Sequence, residues 1–215
     1  MTDILKKIKD WDFSSKDSSI MLNLDYTELP EITDIIERKV WLINEIDEYA
    51  ISNVAYSILK YNSQDKGVAI EKRKPIYIYL SSLGGQTNAG LALVSAIQTS
   101  KTPVYTIVLG NAESMALIVA IVGHKRYCMP NAIYLLHDGV AGGLDSTAKA
   151  RDMITFITGE QEDRIKEIIL SHTSLTKKQY DDKYRKEWYF FPDIAKKYGF
   201  VDYIIGEDCE LEEIL

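Results

Sequence analysis

Ser114 sits in the stretch Gly110-Asn111-Ala112-Glu113-Ser114-Met115-Ala116, between two apolar runs. The run before it, Val104 to Leu109, is β-branched and apolar and reads as a buried strand. The run after it, Met115 to Val122, is apolar on every face and reads as a buried helix closed by Gly123. A serine at such a corner has two uses. Its hydroxyl can cap the helix. Alternatively it can attack a carbonyl carbon, with the Met115 N–H, a first-turn donor lacking an intrahelical partner, facing the oxyanion that develops. The second use requires a histidine within hydrogen-bond reach and a carboxylate to orient it. The chain has three histidines, His124, His137 and His172. They are scattered, with no H-E-x-x-H pattern, so no metal is expected in the chemistry. His137 ends an apolar strand beside a glycine-rich segment and is the best placed. His124 lies on a turn next to Lys125 and Arg126. His172 ends a long helix, where a cation suits the dipole.

The elements that must position these groups follow from periodicity. Lys39 to Ile43 reads as a strand. Ile51, Val54, Ala55, Ile58 and Leu59 form the apolar stripe of a helix, and Asn62 to Lys74 is a polar loop. Pro75 to Leu80 is the next strand. It runs into Ser81-Ser82-Leu83-Gly84-Gly85-Gln86-Thr87-Asn88-Ala89-Gly90 and an apolar helix to Thr99, which Thr102-Pro103 ends. Strand, Gly-rich turn and helix thus alternate twice, which predicts an α/β fold with a parallel sheet. The double glycine matches neither GxGxxG nor GxxxxGK[ST], so no phosphate-cradling loop and no nucleotide cofactor are expected. Arg126–Met129 and Ile133–Leu136 read as two short strands around the Pro130-Asn131 turn. Gly139, Gly142 and Gly143 mark an extended segment. A long helix from Ser146 to Ser171 has a polar centre at Gly159 to Asp163, the pattern of a helix that protrudes and packs on a partner. Thr176 caps a short polar helix, Trp188 to Phe191 is aromatic, Pro192 to Tyr198 is a small helix stopped by Gly199, and Val201 to Ile205 is a last strand. Residues 1–38 read as an arm, with a short helix at Asp3 to Trp11, 39–205 as the domain built from these elements, and 206–215 as an acidic tail.

Composition bounds the function. The 215 residues suit one domain with a proper core. A net charge of −7 without a basic patch argues against nucleic acid. The longest apolar run, Met115 to Val122, is too short to cross a bilayer, and the start of the chain has no signal-peptide core. Two cysteines without CxxC spacing, Cys128 and Cys209, argue against a disulfide framework or zinc site. A cytoplasmic protein without cofactor is expected.

From Lys39 to Ile205 the chain resembles the proteolytic subunit of the Clp protease family. Ser82-Leu83-Gly84-Gly85 with Thr87-Asn88-Ala89-Gly90 resembles its Ser-Pro-Gly-Gly…Thr-Ala-Gly loop. Gly110 to Ala116 resembles its Gly-x-Ala-Ala-Ser-Met-Gly box. Met129-Pro130-Asn131-Ala132 and His137 resemble its Leu-Pro-Asn…Ile-His-Gln box. His172-Thr173 and Lys196 to Asp202 resemble later landmarks. The resemblance implies a crotonase-like superhelix of ββα units, with the Ser146–Ser171 helix as a protruding handle between two stacked rings. It implies a serine endopeptidase with Ser114 as nucleophile and His137 as base, and with the Gly85 and Met115 N–H groups as oxyanion hole. The segment 139–143 would pair with substrate as an extra strand. An ungapped count from His172-Thr173 puts the third member on Glu187, where the family has aspartate; Asp181 and Asp182 stand nearby as alternatives. Leu83 replaces the family's proline, and residues 1–38 do not match the loop that meets an AAA+ unfoldase. The expected partners are a peptide or unfolded protein and further copies of the chain. The rival readings are a weakly active structural subunit, a phage-type head maturation protease on the same fold, and a crotonase-fold acyl-CoA enzyme.

Overall fold

The computed structural model describes residues 34–139 and 146–214. Contacts divide the chain into residues 1–36 and 37–215. The expected Asp3–Trp11 helix lies outside the described residues, as do 140–145, most of the segment expected to pair with substrate. The larger unit is a mixed α/β structure on a mostly parallel sheet, in keeping with the fold class expected.

Strand β1 (Lys39–Leu42) leads to helix α1, residues 48–64, in which Ile51–Ala55 takes a π-helical turn. Asp47 caps it by accepting the Ala50 N–H. The stripe expected on this helix holds for Val54, Ala55 and Ile58, but Leu59 is exposed. The helix runs on to Gln64, so the expected Asn62–Lys74 loop begins later and contains a short 3-10 turn at Ile70–Lys72. Next come β2 (Ile76–Ser82), α2 (Thr87–Thr99), β3 (Val104–Glu113), α3 (Met115–Ile121), β4 (Lys125–Cys128) and β5 (Ile133–Leu136). Every residue of α3 is buried, as its all-apolar sequence requires. Helix α4 spans 147–172 with a π-turn at Ile157–Gln161, which overlaps the polar centre read from sequence. Its first ten residues, Thr147–Phe156, bury nothing. Helix α5 (Lys177–Tyr184) starts on a capping box between Thr176 and Gln179. Strand β6 (Trp188–Phe190), α6 (Pro192–Lys197) and β7 (Tyr203–Ile204) complete the set.

The parallel strands run in the order β1-β2-β3-β4-β7. β4 and β5 do not pair as a hairpin around Pro130-Asn131. Instead β3 is long enough to carry both: Tyr105 to Val108 pair with β4, and Asn111 to Glu113 pair with β5. β6 adds antiparallel to β5. The main core lies between this sheet and its helices. The opposite face, with Tyr79, Ile107 and Tyr127, is covered in part by the chain end. There Cys209 and Ile214 are buried and the Tyr79 hydroxyl donates to the Ile214 carbonyl. The segment read as an acidic tail is therefore anchored, with Leu211–Ile214 forming a 3-10 turn.

Candidate active site

β3 ends at Glu113 and α3 begins at Met115, so Ser114 alone makes the corner. Its φ of 53° and ψ of −124° are a conformation that L-residues rarely hold. The Ser114 N–H donates to the Leu135 carbonyl at 3.0 Å, which ties the corner to β5. The hydroxyl makes no capping bond, so the helix-cap reading of this serine fails.

The oxyanion candidate is carried by the loop after β2. Gly84 (φ 103°) and Gly85 (φ 150°) take conformations open to glycine. A Cβ on Gly84 would lie 2.8 Å from Ser114 Cβ, and one on Gly85 would strike the Ile46 carbonyl. Both glycines are thus required by close approach as well as by φ. Among the described residues neither the Gly85 nor the Met115 N–H has an acceptor.

β5 ends at Leu136 and delivers His137. Antiparallel pairing puts Leu136 opposite Trp188 on β6, so the next position along brings His137 opposite Glu187. His137 Nδ1 and Glu187 Oε1 lie 3.0 Å apart. Nε2 of the same ring is buried with no hydrogen-bond partner among the described residues. Glu187 itself remains 62% exposed. Asp181, one alternative acid, is instead paired with Lys166 on α4.

Ser114, His137, Gly85 and Met115 line one cavity of about 230 Å³. Gly139, the described end of the segment expected to pair with substrate, lines it too, and Thr87, Ile118, Leu136, Ile165 and Tyr184 complete its walls, a lining of mixed polarity. None of these five stood out as site residues in the sequence, because their types serve equally well in a core. The other histidines are engaged elsewhere. His124 Nδ1 accepts the Val104 N–H at 3.0 Å, and His172 Nδ1 lies 2.8 Å from the Ile168 carbonyl. Among the described residues no group of three or more His, Cys, Asp or Glu could hold a metal ion, and no helix is long and apolar enough to cross a membrane.

A strained serine on a strand-to-helix corner, a histidine–carboxylate pair and two N–H groups without an acceptor among the described residues thus gather at one cavity of mixed polarity, a set of groups that can carry out hydrolysis of an acyl bond. Comparison with known proteins makes the class specific: the model of the Clp protease family matches residues 30–208, and the chain belongs to that family. It is 31% identical to ATP-dependent Clp protease proteolytic subunit 2 of Tropheryma whipplei, over 80% of this chain and 92% of that protein. The ATP-dependent Clp protease proteolytic subunits of Streptococcus uberis and Streptococcus mutans are each 31% identical over 82% of this chain and 88% of theirs.

Proposed function

We propose that the chain is a serine endopeptidase that cleaves peptides or unfolded polypeptides inside a ring-shaped oligomer. The observation that carries this is the state of His137. One ring nitrogen is 3.0 Å from the Glu187 carboxylate, and the other is buried and unpaired at the cavity that Ser114 lines. A carboxylate at Nδ1 fixes the tautomer that leaves Nε2 free to take a proton. In this reading Ser114 Oγ attacks the scissile carbonyl carbon while His137 Nε2 takes the hydroxyl proton. The tetrahedral oxyanion accepts from the Gly85 and Met115 N–H groups. His137 then returns the proton to the leaving amine, and water, activated in the same way, releases the acyl group from Ser114. No cofactor enters these steps.

The relatives are named as ATP-dependent subunits. An ATP-driven unfoldase feeding the ring is the partner this implies, and the cytoplasm is the compartment. The exposed apolar side chains Met153, Ile154 and Phe156 on the unburied part of α4 favour packing on another copy.

A fluorophosphonate probe followed by peptide mapping tests the nucleophile. Label on Ser114 is expected, with Ser114→Ala abolishing both labelling and cleavage of fluorogenic peptides; label that persists in the variant defeats the assignment. A weakly active structural subunit is the second reading. It draws on the exposure of Glu187 and on the absence of a hydrogen bond to His137 Nε2. An assembled wild type that is inert toward both probe and peptide would favour it.

A further inference from the structure

Ser82 closes β2 three residues before Gly85 and is 3% exposed. Its Oγ accepts the Gly84 N–H at 3.2 Å and lies 3.5 Å from the Gly84 carbonyl. Ile46, fully buried in the segment after β1, brackets the next peptide units. The Ile46 N–H donates to the Gly84 carbonyl at 2.8 Å, and the Ile46 carbonyl accepts the Gln86 N–H at 2.7 Å.

These bonds fix the loop plane by plane. In a trans peptide the C=O and the following N–H point in opposite directions. With the Gly84 carbonyl turned toward Ile46, the Gly85 N–H must point away from Ile46. The plane before it, Leu83–Gly84, is held through its own N–H by the Ser82 hydroxyl. Two successive glycines at positive φ have other conformations open to them, and Leu83 brings no ring to preset its φ. The hydroxyl is therefore the side-chain restraint in a turn whose remaining restraints are backbone atoms.

We propose that Ser82 is a positioning residue for the oxyanion donor: its hydroxyl locks the Leu83–Gly84 peptide and, with the Ile46 bracket, keeps the Gly85 N–H aimed at the developing oxyanion. This rests on the reading of Ser114 and Gly85 given above. A misaimed donor weakens the transition state more than the bound substrate, so the defect belongs in kcat.

The test uses the full chain, a fluorogenic peptide and a peptide boronate, whose adduct on Ser114 is tetrahedral and so reports the oxyanion hole directly. Losing an oxyanion donor outright costs roughly 100- to 1000-fold in turnover, so misaiming one should lower kcat by about 10- to 100-fold. That loss is expected in Ser82→Ala and in the near-isosteric Ser82→Cys, a poor acceptor, with KM little changed and boronate affinity falling alongside kcat. Ser82→Thr keeps the hydroxyl and should restore wild-type turnover. Wild-type kcat in Ser82→Cys, a loss confined to KM, or unchanged boronate affinity would each overturn the proposal. If Ser82→Ala fails to fold, Ser82→Cys decides. If both fail by circular dichroism, the hydroxyl is structural and the proposal falls. An active wild type with unaffected Ser82 variants refutes only this role. A wild type that neither cleaves peptide nor labels at Ser114 refutes the peptidase reading and this inference with it.

Discussion

Glu187 reaches His137 from a strand edge with most of its carboxylate in water. Its Oε1 lies 3.0 Å from His137 Nδ1, a contact that follows from its cross-strand position opposite His137. Loss of the orienting acid from a Ser-His-Asp triad costs about 10⁴ in turnover. Glu187→Gln should therefore lower kcat steeply while KM and assembly change little. Asp181→Asn should stay near wild type, since Asp181 is engaged by Lys166; steady-state kinetics on both variants would reverse this assignment if the losses were exchanged. At the same scale, burial pushes the Cys128 thiol up to about 11. Thiolate is the reactive form, so Cys128 should resist maleimide at neutral pH in the native chain and react quickly in denaturant. Rapid native labelling at Cys128, located by mass spectrometry, would contradict this.

Among the elements, the start of β1, the end of α1 and the entry to β3 meet in one polar cluster. Arg38 is bidentate on Asp65 at 2.7 Å, and Thr102 donates to the same carboxylate at 2.8 Å. Asp65 is 5% exposed, and the Arg38 hydrogen bonds hold its carboxyl below the ordinary carboxylate value, outweighing the opposing effect of burial. A depressed folded-state pKa stabilises the fold above the unfolded value, about 3.9, and that stabilisation is lost as pH falls below it. Asp65→Ala removes the carboxylate from a partly buried guanidinium that keeps the Lys74 carbonyl as an acceptor, and should cost ~1–3 kcal/mol at pH 7. Its melting temperature should also fall less than that of wild type between pH 5 and pH 3; parallel acid curves would remove Asp65 from the acid response. The sequence made these elements legible wherever the period changed: the switch from a β-branched run to an all-apolar run located the Ser114 corner. Strand partners were less legible, because apolar alternation in β4 and β5 says that each is a strand but not that both lie along β3. The Ile46 bracket left no trace either, since it is built from backbone atoms that any residue type supplies. Glu187 was reached only by counting from His172-Thr173, with Asp181 and Asp182 left open; the pairing of β5 with β6, which counting does not reveal, puts Glu187 beside His137.

At the scale of the whole molecule, the chain end behaves as part of the domain. Ile214 is 1% exposed against the Tyr79 face of the sheet, so Ile214→Ala should destabilise by ~2–4 kcal/mol in denaturant titration. A change below ~0.5 kcal/mol would mean that this segment is only loosely laid on the sheet. Light scattering at micromolar concentration should give a mass many times that of one 24.5 kDa chain; a stable monomer would defeat the ring reading. The pairing of β5 with β6 also bears on what this architecture can be made to accept. His137 and Glu187 are 50 residues apart in the chain, yet the ladder staples them together, so α4 and α5 form a closed excursion between them, its inner half packed into the core and its outer half burying nothing. The spacing of His137 and Glu187 is thereby insulated from the length of that outer half. The outer stretch of the long helix, Thr147–Phe156, which buries nothing, is free to be lengthened, trimmed or fused to a foreign module by nature or by an engineer, while the hydrogen-bond pitch of two short strands acts as the gauge that keeps His137 and Glu187 in register.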